Sequence, residues 1–365
     1  MKRIYFLLVL AALVSCSRNA GNTRPAIDLV RNIISDTDLP EHGMVAYYNA
    51  YNSDNSIYIV GSPDACARFR TEFGECDRFD NVDGRRIPDG LPDFAGEVIC
   101  TIRDFANTPY RLLADSGRSE QLREVMVRNV LSTMNDVCYI NRYDKTGTAT
   151  KPLSKLVVMA SPYACEFGRF DLDSLFSALD CDLQVVYPVK VMMDKVLDAN
   201  KGNVVVGVIP DPETFSSRAH ASYLYEQARA RGLADSECIV FRSDSTSTEQ
   251  LLSFLDNYLE SGHSRPLNAI LVGDKDVDTE VMRQTLNRIT SANSEESLSY
   301  GRLIAPGCQI LDVAETVSAE CVRIMRERNL FSHRIAYPRF LEFQTVALAD
   351  SSFVLCQYDN VNPFL

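Results

Sequence analysis

Short apolar runs alternating with longer amphipathic stretches, sustained from Ser56 to Tyr358, constrain this chain more than any other feature. Runs such as SIYIVG (56–61) and VVVGVI (204–209), apolar at consecutive positions, suit strands buried on both faces, as strands of a parallel sheet are. The stretches between them carry apolar residues at helical spacing: Leu122, Val125, Met126 and Val130 in one, Leu251, Leu252, Leu255 and Leu259 in another. Strand and helix in turn predict mostly parallel sheets wrapped by helices, an α/β class. Strands are expected at 56–61, 97–103, 156–160, 183–187, 204–209, 238–241, 269–272 and 302–304, with extended runs at 333–347 and 352–358.

A Lys201-Gly202-Asn203 break divides the pattern into a first α/β lobe, 41–200, and a second, 201–330. Residues 331–365 are expected to cross back to the first lobe as extended segments, with crossovers near 188–203 and 306–345. Residues 76–96 form a turn-rich insertion. The carboxylates Asp89, Asp93 and Glu97, at and just past its end, read either as an acidic site or cation loop or as a plain surface loop, which becomes a lid if it packs over the cleft.

The first residues have a different character. Met1-Lys2-Arg3 precedes an apolar run from Ile4 to Val14, then Ser15-Cys16. A basic start, a short apolar stretch and a small residue make a secretory signal. As a helix the run spans only about 16 Å, against roughly 30 Å for a bilayer core. Leu13-Val14-Ser15-Cys16 resembles the lipobox of bacterial lipoproteins. That resemblance implies a signal peptide at 1–15, a diacylglycerol and acyl chains on Cys16, and a tether with a short helix at 16–40. It also implies a membrane-anchored body facing the periplasm, from the outer membrane. An ordinary signal peptide that ends in cysteine is the other reading.

Composition narrows the partners. A net charge of −12 argues against nucleic acid, whose phosphates need a surplus of Lys and Arg. Tryptophan is absent, and the four histidines, at 42, 220, 263 and 333, are too scattered for a multi-histidine metal centre. No metal or other cofactor is expected. Apart from Cys16 the cysteines show no CxxC pair, and many sit in apolar runs as small buried hydrophobes do. Cys66–Cys76 and Cys165–Cys181 remain candidate disulfides. No G-x-S-x-G, P-loop or H-E-x-x-H is present.

From Val204 onward the order of features resembles the type 1 periplasmic binding proteins and the ligand-binding core of the lactose-repressor family. The residues that carry it are VVVGVI, Ser216-Ser217-Arg218, Tyr223, Arg231-Gly232-Leu233, PLNAILVGD (266–274) and RIAYPRFLEFQTVA (334–347). The resemblance implies two doubly wound lobes closing on a small polar ligand, such as a sugar, nucleoside or amino acid, with a transporter or sensor as partner. Open α/β sheets bind ligands at the carboxyl ends of their strands. The polar residues there are Ser62, Arg103, Asp104, Ser161, Asp211, Arg218 and Asp274. The expectation is a binding protein with no catalytic residue.

The same order also resembles the cofactor-independent aspartate/glutamate racemases, in which a cysteine after a strand in each lobe serves as acid or base. Ser161 and Asp274 stand at the corresponding places, and Cys165 and Cys308 lie near them but outside the motifs. An enzyme of that fold would therefore need chemistry other than the two-cysteine kind. The anchor is open to direct test. Cys16→Ala should abolish metabolic labelling with palmitate and move the protein from the membrane to the soluble fraction. Continued membrane fractionation of that variant would remove the lipid anchor.

Overall fold

The computed structural model describes residues 24–358 except 51–54, 142, 145, 148, 243–249, 292–294, 333, 335 and 349–351. Cys16 and the signal segment lie outside the described residues. Helices α1 (Asp28–Ser35) and α2 (Pro40–Ala50) precede β1 (Ser56–Gly61), α3 (Pro63–Glu75) and β2 (Val98–Arg103). The chain continues through α4 (Arg111–Asp115), α5 (Ser119–Leu131), the short pair β3 (Val137–Cys138) and β4 (Ala149–Thr150), and β5 (Ser154–Met159). Next come α6 (Pro162–Phe167), α7 (Arg169–Ala178), β6 (Gln184–Val186) and α8 (Pro188–Ala199). A second run holds β7 (Val205–Ile209), α9 (Ala219–Ala230), β8 (Glu237–Val240), α10 (Gln250–Glu260), β9 (Leu267–Val272), α11 (Thr279–Thr290), α12 (Glu295–Tyr300) and β10 (Ile304–Asp312). Helix α13 (Val313–Glu327) and strands β11 (Arg339–Ala347) and β12 (Phe353–Gln357) follow.

The strands form a six-stranded sheet in the order β12-β11-β2-β1-β5-β6 and a four-stranded sheet in the order β10-β9-β7-β8. Every pairing in the two sheets is parallel except β11 with β12. The α/β class with two doubly wound, mostly parallel sheets, expected from the sequence, is the class observed. All residues of β1 and β7 are buried, which is why their sequences are unbroken apolar runs. Strand β10 is longer than the 302–304 expected, because Gly301–Leu303 is a 3-10 turn and the extended chain begins at Ile304. Pro306 and Gly307 interrupt its apolar pattern and hid it from a periodicity argument.

Helix α13 follows directly on the last strand of the second sheet, yet it packs on the first. Its Val317, Cys321, Val322 and Met325 share a core with Phe69, Phe73 and Phe94. All ten cysteines among the described residues are free, so neither Cys66–Cys76 nor Cys165–Cys181 is bridged. The Cys66 thiol is spent instead on the Ile102 carbonyl, at 3.2 Å. No described helix is long and apolar enough to cross a membrane.

A buried ion pair fixes the amino-terminal segment to this body. Arg123 Nε donates to Asp171 Oδ2 at 2.7 Å and Nη2 to Oδ1 at 2.8 Å, while Nη2 also reaches the Pro25 carbonyl at 2.7 Å. The Ile27 amide donates to the same carboxylate at 3.0 Å. Removing one partner leaves a buried charge uncompensated, at a cost of about 3–5 kcal/mol. Asp171→Ala should therefore lower urea stability by that order and increase hydrogen exchange in α1. A loss below about 1 kcal/mol, the range of an exposed ion pair, would contradict this role.

Candidate functional site

The strands of both sheets end at the same cleft, and the residues that follow them share one chemical device. Ser62-Pro63, Ser161-Pro162, Tyr187-Pro188 and Asp211-Pro212 each place proline in the first helical position after a strand. Proline there supplies the helical φ and lacks an amide N–H that would have no partner. Ser62 Oγ accepts from the Ala65 amide at 3.3 Å, Ser161 Oγ from the Tyr163 amide at 3.3 Å, and Asp211 Oδ1 from the Glu213 amide at 2.9 Å. Asp312 caps α13 in the same way through the Ala314 and Glu315 amides. Repeated cap-proline steps after apolar runs, which the sequence reading did not use, are a signal of this site.

These ends enclose a cavity of about 380 Å³. The first sheet's side contributes Ser62, Asp64, Arg68, Phe69, Tyr110, Ser161, Tyr163, Val189 and Met192; the second contributes Asp211, Glu213, His220, Gly273 and Lys275; Val313 closes it. Polar contacts span the cleft. Arg68 donates to the Gly273 carbonyl at 2.5 Å and to Asp312 Oδ2 at 2.6 Å. Lys275 Nζ meets Asp64 Oδ2 at 2.6 Å, and the hydroxyls of Tyr163 and Ser216 are 2.8 Å apart.

Several titratable groups in the cavity have displaced proton affinities. Burial raises the Asp211 carboxyl above its ordinary value, against the lowering effect of the Glu213 amide. His220, in the first turn of α9, is 8% exposed and makes no hydrogen bond among the described residues. Burial alone lowers its pKa to about 4, so the imidazole is neutral near pH 7. Its scattered position among four histidines gave the sequence reading no reason to single it out. Lys275 is shifted upward by its hydrogen bond to Asp64.

Of the residues expected at the ligand, Ser62, Ser161 and Asp211 line the cavity. Four do not. Arg103 donates to Glu342 at 2.6 Å and stacks on the Tyr358 ring at 4.3 Å. Asp104 is fully buried and accepts from Tyr110, Asn107, Asn129 and Thr345 at 2.7–2.8 Å. Arg218 is exposed, and its backbone amide joins Ser217 Oγ on Glu166. Asp274 is buried outside the cavity wall and caps the Asp276 amide at 3.0 Å. In the 76–96 insertion, Asp89 accepts from the Asn81 and Leu91 amides and Asp93 from those of Arg78 and Phe79. Glu97 pairs with half-buried Lys155 at 2.5 Å. Asp89 and Asp93 hold the loop together, Glu97 ties the chain just after it to β5, and none of the three lines this cavity. Neither Cys165 nor Cys308 lines the cavity, and burial pushes both thiols up to about 12. Among the described residues no three His, Cys, Asp or Glu side chains are placed to hold a metal ion.

No protein-family model matches the sequence, and no curated protein matches it. Solved structures do. Glutamate racemase isoform RacE1 from Bacillus anthracis is 15% identical, covering 81% of this chain and 90% of that chain with a TM-score of 0.46. A putative Asp/Glu racemase from Yersinia pestis is 10% identical, covering 74% and 98% with a TM-score of 0.40. A dimeric Lac repressor is 9% identical, covering 82% and 97% with a TM-score of 0.23. The racemase structures match with higher TM-scores than the repressor core, so the expected likeness to a repressor-type binding protein gives way to the racemase alternative as a likeness of fold. The cleft separately corrects the expected ligand contacts, because Arg103, Asp104, Arg218 and Asp274 are engaged elsewhere. The likeness is one of fold, and the chemistry rests on the cleft itself.

The state of His220 has a thermodynamic signature. Above pH 6.5 the imidazole is neutral in both folded and unfolded chains. As the pH falls toward 4 the unfolded chain takes up a proton that the folded chain does not, so stability is lost on acidification. The full effect is about 3 kcal/mol. Asp211, with its raised proton affinity, acts in the opposite sense, so the quantity to measure is a difference. Urea unfolding at pH 7 and at pH 4.5 should show a larger loss for the wild-type protein than for His220→Asn. Equal losses would mean that the imidazole is not held neutral.

Proposed function

We propose that this chain is an enzyme whose cleft carries out general acid–base chemistry, without thiols, on a small amino-acid-like molecule. The observation that carries the reading is that Asp211 and His220 line one cavity whose wall, among the described residues, includes no cysteine. A carboxyl whose proton affinity is raised by burial is suited to take a proton from carbon. A neutral imidazole with no protein partner can hydrogen-bond the charge that develops. The first turns of α3 and α8, both at the cavity wall, supply the positive ends of helix dipoles for a substrate carboxylate.

In this mechanism Asp211 removes the proton on the carbon beside the carboxylate. The electron pair left behind spreads into that carboxylate, and a proton returned from Asp211 or solvent closes the cycle. We further propose that the enzyme works outside the cytoplasm, tethered through a lipid on Cys16, on the strength of the Leu13–Cys16 motif and the basic start before it.

The chemistry leaves an isotopic trace. In deuterated buffer, proton NMR of a panel of free amino acids should show loss of the α-proton signal of at least one member. Asp211→Asn should slow that exchange by about 10²-fold or more. A panel with no exchanging member, or exchange unaffected in Asp211→Asn, would sink the proposal.

A further inference from the structure

Three basic side chains line the cavity, and none is an unpaired cation. Arg68 is engaged by the Gly273 carbonyl and the Asp312 carboxylate. Lys275 is engaged by Asp64. His220 is neutral near pH 7. Against them stand three carboxyl side chains on the same wall, Asp64, Asp211 and Glu213. A substrate with two carboxylates would bring its second negative charge to a place where no free cation answers it, and buried charges without partners are strongly disfavoured. An ammonium group would meet the opposite situation.

The remaining wall is apolar. Phe69, Val189 and Met192 are at or near full burial, Val313 is half-buried, and all four show carbon to the cavity. One carboxylate has a place at the first turns of α3 and α8. His220 points to a ligand independently, as a polar side chain more than nine-tenths buried on the cavity wall with no hydrogen-bond partner among the described residues.

We infer that the cleft takes an α-amino acid with a single carboxylate and an apolar side chain, and discriminates against aspartate and glutamate. The inference rests on the reading of the cleft as a substrate site and adds the class of substrate. The carboxylate lies at the helix ends, the ammonium toward Asp211 and Glu213, and the side chain against Met192 and Phe69. Asp64 is the discriminating residue, because by holding Lys275 it removes the one ammonium that could receive a second carboxylate.

Calorimetric titration of the full-length protein in detergent tests this with leucine, methionine, phenylalanine, aspartate and glutamate as probes. At least one of the first three should bind about tenfold more tightly than glutamate. Asp64 is exposed, so Asp64→Asn should fold normally while releasing Lys275. In that variant glutamate should gain about three- to fivefold, the worth of one solvent-exposed ion pair, with leucine little changed. Aspartate or glutamate binding as tightly as the apolar probes, no binding of any probe, or no gain for glutamate in Asp64→Asn would each overturn the inference. Deuterium exchange confined to glutamate or aspartate would overturn it while leaving the acid–base proposal intact.

Discussion

One guanidinium, that of Arg68, reaches from a helix of the first sheet to two acceptors at the strand ends of the second. One acceptor is a backbone carbonyl, at Gly273, and the other is the carboxylate of Asp312, itself fixed by two amides at the start of α13. Each partner is therefore held before the contact is made, and a charge-assisted bond between held groups loses little entropy on forming. The neighbouring Lys275–Asp64 pair has both members well exposed and is screened by solvent. Arg68 thus ties the two sheets together directly across the cavity.

Within that width the wall is positioned from behind. Asp104, wholly buried, collects Tyr110, Asn129 from α5 and Thr345 from β11, and so ties the wall residue Tyr110 to a helix and to a strand contributed from late in the chain. A carboxylate with four donors is costly to disturb and has no lone pair to spare for a ligand. Its place at a strand end gave it the look of a ligand contact, and its neighbours made it a strut.

Much of the fold was legible because buried parallel strands write themselves as apolar runs. β1 coincides with its expected span, and β2, β5, β7 and β9 differ by a few residues at their ends. The site was legible only in part. A residue after a strand faces the cleft end of the sheet, but whether it reaches the cavity depends on partners far away in sequence. Arg103 is claimed by Glu342 on β11, and the Glu166 carboxylate is met by the backbone at Arg218. His220 carries the reverse lesson. Its significance lies in lacking a partner, and only the packed structure reveals what a side chain does not touch.

The interleaving of the first sheet has a consequence for how such a chain comes into being. Residues 205–312 supply the second sheet without interruption, whereas the first needs β11 and β12 beside β2, and α13 over its face. During synthesis from the amino end, the second sheet can assemble as soon as its own segment emerges. The earlier-made first sheet has to wait with an open edge on β2. For that interval its apolar strands are unprotected, and their solubility depends on chaperone cover rather than on their own packing.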